Sequence, residues 1–233
     1  MNRLTFFCVL AIPLIWSCND DIDAGPIITE TRNLPEYTEL EVDGSYEVII
    51  NPDYDFDVRV TAPDNMMNYI ETFVTGSRLV IKERSNRIDH GRILIEVSET
   101  VLERIELNGS GKITAEDTLT SPDIVAEING SGSSDLLVDC TVLRLEIDGS
   151  GIIEAWGESS MVLSEIEGSG LISSRAIESA VAEARIEGSG SIDIYAIQSL
   201  FARIDGSGVI RYWGNPGTVD ASVDGSGTII EIN

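Results

Sequence analysis

The side chains whose types and spacing could do chemistry in this 233-residue sequence are acids and aromatics. Glu146, Asp148, Glu165 and Glu167 fall in two columns, three residues and one residue before a recurring glycine. The same columns hold Glu106, Glu127, Asn108 and Asn129, and then Arg185, Glu187, Arg203 and Asp205. Carboxylate oxygens suit Ca²⁺, a hard cation that takes oxygen ligands. The plainer reading is a solvated face that keeps the molecule soluble and discourages sideways association. The order of residues is not that of the nonapeptide Gly-Gly-x-Gly-x-Asp calcium repeat, whose period is much shorter. A second column, seven residues after the same glycine, reads Glu116, Leu137, Trp156, Arg175, Tyr195 and Trp213. Three aromatics and an arginine in four successive repeats would make a flat strip for a sugar ring or a protein partner, because aromatics bury large area at little entropic cost. The alternative is that the chain turns first and packs these rings inward.

Catalytic groups are scarce. His90 is the single histidine, between Asp89 and Gly91 in a loop-like stretch, and Lys82 and Lys112 are the only lysines. Paired carboxylates for glycoside hydrolysis need separations of about 5 or 6.5–9.5 Å, which stacked rows supply by chance. No catalytic residue is assigned, and the expectation is a protein that is not an enzyme. The chain carries 15 Lys and Arg against 40 Asp and Glu, a net charge of −25. Such a charge repels nucleic acid, anionic membrane surfaces and polyanionic polysaccharides. A hydrophobic content of 42% is nevertheless too high for a disordered acidic chain.

What must position these columns is a repeat. Gly-Ser-Gly occurs seven times, with first glycines at Gly109, Gly130, Gly149, Gly168, Gly188, Gly206 and Gly225. The intervals are 21, 19, 19, 20, 18 and 19 residues. Two residues before each corner stands Leu107, Ile128, Ile147, Ile166, Ile186, Ile204 or Val223, and four after it usually stands Ile. Apolar–polar alternation on both sides of a glycine predicts two strands with one buried face each. A period near 19 is too short for a helix pair or a propeller blade and fits one coil of a β-solenoid. Equivalent residues then stack about 4.8 Å apart, and right-handedness is the expected sense of parallel crossovers. The fold expected is all-β: a right-handed parallel β-helix of about seven coils, with a less regular amino-terminal β cap. In that cap Leu40–Ser45 reads as a degenerate first coil, strands are predicted at 46–50, 57–61, 78–82 and 93–97, and a short helix at 66–73.

The amino terminus reads as an address. Residues 1–17 have one charge, Arg3, and an apolar run from Leu4 to Trp16, the pattern of a signal peptide. Ser17-Cys18 resembles the bacterial lipoprotein processing box, with Cys18 as the lipid attachment, and Asn19-Asp20-Asp21 with Asp23 resembles the surface-export signal of Bacteroidetes lipoproteins. The expected location is the outer membrane, reached through a lipid anchor only, on the cell surface or facing the periplasm. Cys8 would leave with the signal and Cys18 would carry lipid. Cys140 is then the remaining thiol, and no intrachain disulfide is expected.

The entry Leu34-Pro35-Glu36-Tyr37, the segments Val42-Asp43-Gly44 and Ala62-Pro63-Asp64-Asn65, the Gly-Ser-Gly corners and the ending Tyr212-Trp213-Gly214-Asn215-Pro216 together resemble the putative auto-transporter adhesin, head GIN domain family. The resemblance runs over about residues 27–233. It implies a right-handed parallel β-helix similar to the pectate-lyase superfold, a role in adhesion, and no catalytic motif. The predicted organisation is a signal peptide at 1–17, a lipidated acidic tether at 18–26, an amino-terminal β region at 27–101 and β-helix repeats at 102–233. The function expected is a surface-anchored, non-catalytic adhesin-like or ligand-binding lipoprotein, whose partner is a glycan or an envelope or host surface protein, with homo-oligomers allowed. A structural or signalling envelope protein without a ligand site, and an enzyme acting on polysaccharide, are the alternatives.

Overall fold

The computed structural model describes residues 25–52, 54–55, 57–84, 93–99 and 101–232. The chain opens with β1 (Ile27–Arg32), β2 (Glu39–Gly44), β3 (Glu47–Ile50) and β4 (Val58–Pro63), makes one helical turn, α1 (Asp64–Met67), and continues through β5 (Ile70–Thr75), β6 (Arg78–Glu83) and β7 (Leu94–Val97). The repeat region forms β8 (Arg104–Gly109), β9 (Lys112–Ala115), β10 (Leu119–Thr120), β11 (Asp123–Gly130), β12 (Ser133–Gly149), β13 (Ile152–Gly168) and β14 (Leu171–Ser173). It ends with β15 (Ser179–Gly188), β16 (Ser191–Gly206), β17 (Val209–Trp213), β18 (Thr218–Gly225) and β19 (Thr228–Glu231).

These strands stack in parallel into a β-solenoid, as the repeat predicts. The face that precedes each corner runs β6, β2, β8, β11, the second halves of β12 and β13, β15, the second half of β16, and β18. The face that follows it runs β7, β3, β9, the first halves of β12 and β13, β14, the first half of β16, β17 and β19. Register is set by the corners, since Gly44, Gly109, Gly130 and Gly149 lie opposite one another, as do the later first glycines. Leu107, Ile128, Ile147, Ile166, Ile186 and Ile204 consequently form one buried interior column. Ile113, Ile153, Ile172, Ile192 and Ile210 form a second across the corner. Apolar burial at roughly 25 cal/mol per Å² is the main force holding each coil on the next.

Glycine is required at the corner by geometry. Gly168 has φ +126°, and a Cβ there would lie 2.4 Å from the Gly149 carbonyl oxygen. A Cβ on Gly170 would lie 2.8 Å from both the Gly151 oxygen and Ile147 Cγ2. The close approach lets Ser169 N–H donate to Gly149 O at 2.8 Å and Leu171 N–H to Gly151 O at 3.0 Å.

At the starting end the pairing turns antiparallel: β4 runs against β7 and β1, and β5 against β6. The helix expected over 66–73 is replaced by α1, over Asp64–Met67, followed by β5. The reason is non-local. Gly76, at φ +65°, turns the chain so that Ile70–Thr75 pair with Arg78–Glu83 residue by residue, and local propensity yields to the ladder. Residues 1–17, Cys18 and His90 lie outside the described residues.

Candidate functional site

Two outward surfaces of the solenoid carry the predicted columns. On the face before the corners, Glu106, Glu127, Glu146 and Glu165 are successive partners in register, and Arg185 follows them. Asn108, Asn129, Asp148 and Glu167 form the neighbouring row. The lower part of this surface is neutralised internally. Asn108 Nδ2 donates to Asp43 at 2.8 Å and to Glu106 at 2.9 Å, and Asn129 Nδ2 donates to Asn108 Oδ1 at 2.9 Å and to Glu127 at 3.0 Å. Arg78 bonds both Glu39 and Glu41, at 2.9 and 2.7 Å, and Arg104 bonds Glu127 at 2.8 Å. The hydrogen bond from Arg78 holds the Glu39 carboxyl below the usual carboxylate range.

The middle coils are different. Glu146, Asp148, Glu165 and Glu167 line a shallow cleft with Glu127, Asn129 and Ile147. Arg144 approaches Glu146 only to 3.7 Å, and Arg185 reaches Glu165 at 3.4 Å. Neither Asp148 nor Glu167 has an ion-pair partner among the described residues. Burial pushes the Glu146 carboxyl above its usual range, and the charge of Glu127 adds to the effect. Among the described residues no three Asp, Glu, His or Cys side chains are grouped to hold a metal ion. The four predicted carboxylates thus share a surface without converging on a point, and their chemistry is like-charge repulsion along adjacent strands.

The second surface follows the corner. Trp156 is 42% exposed and sits opposite Leu137 of the preceding coil. Tyr195 and Trp213 are half-buried and lie opposite one another in register. None of the three rings packs into the interior. Arg175 departs from the predicted column. Its coil spans 20 residues between corners, β14 ends at Ser173, and the chain turns, with Ile177 N–H donating to Ser174 O at 3.0 Å. The extra length also shifts the register between Ser179 and Val181. Arg175 is exposed at this turn, and its guanidinium lies over the ring of Trp213, two coils further on, 5.8 Å from the centroid, in cation–π range.

Local sequence explains why two of these rings stand at the rim. Trp156 and Trp213 each precede a glycine of positive φ, Gly157 at φ +114° within β13 and Gly214 at φ +95° just after the end of β17. A Cβ at these positions would lie 2.0 Å from Val138 O and 2.1 Å from Ala196 O. Two residues before each ring on the same strands lie Glu154, Asp193 and Arg211, which the column reading overlooked; strand alternation was the signal that could have found them. Arg211 bonds Asp193 at 2.7 Å and Ser191 at 3.0 Å, whereas the Glu154 side chain makes no hydrogen bond or ion pair among the described residues. Aromatic faces beside a carboxylate row offer stacking and hydrogen-bond acceptors together, the combination that polyhydroxylated rings need. Cys140 is half-buried, and burial raises its thiol pKa, the opposite of an activated nucleophile.

Residues 36–216 match the family model described as putative auto-transporter adhesin, head GIN domain. No curated protein matches the sequence. Among solved structures, a putative adhesin from Bacteroides fragilis is similar at 24% identity and a TM-score of 0.84, over 89% of this chain and 97% of the other. A putative adhesin from Parabacteroides merdae is 21% identical with a TM-score of 0.77, over 90% and 97%. A putative lipid binding protein from Parabacteroides distasonis is 24% identical with a TM-score of 0.71, over 90% and 98%. At these identities the likeness establishes the shared fold.

Proposed function

Because the chain belongs to the putative auto-transporter adhesin, head GIN domain family, we propose that it is a non-catalytic ligand-binding protein of the cell envelope, anchored by lipid on Cys18 and displayed at the surface. The observation that carries the binding part is the outward strip of Trp156, Tyr195 and Trp213, with Arg175 against Trp213 and Glu154 alongside. Strands of the solenoid hold the three rings, so they are positioned before a ligand arrives and little ordering entropy is lost on binding. Stacking is sequence-tolerant and individually weak, and repetition along the axis turns weak contacts into avidity. The ligand class this surface fits best is a neutral or basic glycan. A polyanion would meet an acidic molecule, and the apolar ring faces suit the C–H faces of sugars.

Lipid attachment rests on the Ser17-Cys18 processing box after an apolar leader. No helix among the described residues is long and apolar enough to cross a membrane. The test is a glycan array and an envelope-protein pull-down with the full chain, repeated with the Trp156→Ala/Trp213→Ala double variant. Binding that the double variant abolishes, with unchanged thermal stability, supports the reading. Absence of any glycan or protein ligand overturns it, and cleavage of a polysaccharide by the intact chain overturns its non-catalytic part. Labelling of the full chain with radioactive palmitate, lost in Cys18→Ser, tests the anchor.

A further inference from the structure

The last coil differs from every coil before it. The interior column that runs from Leu107 to Ile204 is at most 2% exposed until it reaches Val223, which is 43% exposed. The column containing Leu143, Val162, Ala182 and Leu200 is fully buried until it reaches Val219, 44% exposed. Ala221, between them, is exposed as well. All eight residues of β18 are open to solvent, and among the described residues β16 is the only strand beside it.

The backbone of β18 is open on the same side. In a parallel ladder the N–H and C=O of one residue point to the same neighbour, and they alternate along the strand. Val125 N–H donates to Glu103 O in the preceding coil. The residue in register with Val125 in the last coil, through Arg144, Leu163, Glu183 and Phe201, is Asp220. Asp220 and its even-numbered neighbours therefore bond backward to β16. Val219, Ala221 and Val223 direct their N–H and C=O groups forward, to the open edge. These are the same three residues whose side chains end the interior columns.

We propose that this edge pairs with the same edge of a second copy, giving a tail-to-tail dimer in which two β18 strands run antiparallel about a two-fold axis at Ala221. In that register Ala221 faces Ala221 of the other copy and Val219 faces Val223, so all three forward-facing residues form hydrogen-bonded pairs and their side chains close the interior. On the outer surface Asp220 faces Ser222 and Asp224 faces Thr218, so every carboxylate meets a hydroxyl. Neighbouring registers lack this complementarity: a shift by two residues one way sets Asp220 against itself, and the other way sets Asp220 against Asp224. Two-fold pairing is also the form of contact that closes without propagating. One coil cross-section is a small interface by the standard of stable dimers, so the dissociation constant expected is on the order of 10 µM.

Sedimentation velocity on the full chain in mild detergent, from about 1 to 500 µM, is expected to show a reversible monomer–dimer equilibrium. Ser222→Asp places like charges opposite each other twice per dimer and should weaken association about tenfold, with no loss of thermal stability in the dilute monomer. Ala221→Cys should give a disulfide-linked dimer on mild oxidation, absent from the parent chain, because hydrogen-bonded antiparallel partners have Cα atoms about 5.5 Å apart, within disulfide range. Ser222→Asp in that background should suppress the cross-link. A monomer at the highest concentration, an open-ended polymer, or a dimer indifferent to Ser222→Asp with no Ala221→Cys cross-link would each overturn the proposal.

Discussion

Gly168→Ala tests the physical basis of the stacked corner. The added methyl would sit 2.4 Å from the Gly149 oxygen and 3.1 Å from its carbonyl carbon, while φ stays at +126°. A backbone region that L residues avoid costs on the order of 1–3 kcal/mol. Relieving the overlap means parting two coils, which weakens the Ser169 N–H to Gly149 O bond of 2.8 Å, a contact worth about 1 kcal/mol. The two together predict a loss of ~2–4 kcal/mol, read by equilibrium urea denaturation followed by far-ultraviolet circular dichroism. Gly76→Ala is the matched control. Gly76 also has positive φ, +65°, but nothing lies within 4 Å of its Cβ position, so only the left-handed backbone penalty of about 1 kcal/mol applies. Each coil touches only its neighbours, so the damage should stay local. Hydrogen exchange should accelerate in β12 and β13, the two strands that end at Gly149 and Gly168, and little in β2. Equal costs for Gly168→Ala and Gly76→Ala would refute the reasoning, because steric contact between coils would then contribute nothing.

Other expectations follow from the same geometry. Burial and Glu127 raise the Glu146 pKa. The folded state therefore binds this proton more tightly than the unfolded chain does, and its contribution to stability grows as pH falls from neutrality through the raised value. Glu146→Gln should stabilise by a few tenths of a kcal/mol at pH 7, after allowance for solvent screening, and the gain should vanish in acid when urea midpoints are compared across pH. Tyr46 is 2% exposed, its hydroxyl has no hydrogen-bond partner among the described residues, and burial lifts its pKa to about 12. Tyr46→Phe should raise stability by about 1 kcal/mol in the same denaturation assay, and titration at 295 nm should lose the phenol that ionises at about pH 12, while Tyr37, raised further by burial, continues to ionise above it. Trp156 is 42% exposed and Trp213 only half-buried, so Trp156→Phe should remove more of the iodide-quenchable fluorescence than Trp213→Phe.

The solenoid was legible because its determinants are local and repeated. Gly168 and Gly170 demand glycine for reasons present in every coil, so the same triplet recurs and aligns the columns on either side. Aromatic column and acidic column could be read as outward by counting from that triplet. Arg175 could not be placed that way, because one extra residue in its coil lets the ladder break and sends the side chain forward to Trp213. The 66–73 segment failed for a related reason: pairing of β5 with β6, across Gly76, outweighs a local helical pattern.

By itself, then, the sequence determined the period, the strand–corner–strand unit, the interior isoleucine column and the side on which Glu146 and Trp156 emerge, since backbone sterics at glycine and two-residue alternation act within a few residues. Only the tertiary structure decided that β6 and β7 lie beneath β2 and β3 while β8 and β9 lie above them. It also decided that Glu146 is crowded where Glu106 is neutralised, and that the columns end on an uncovered Val219, Ala221 and Val223. These depend on which strand stacks on which, and contacts between residues far apart in the chain leave no periodic trace in it.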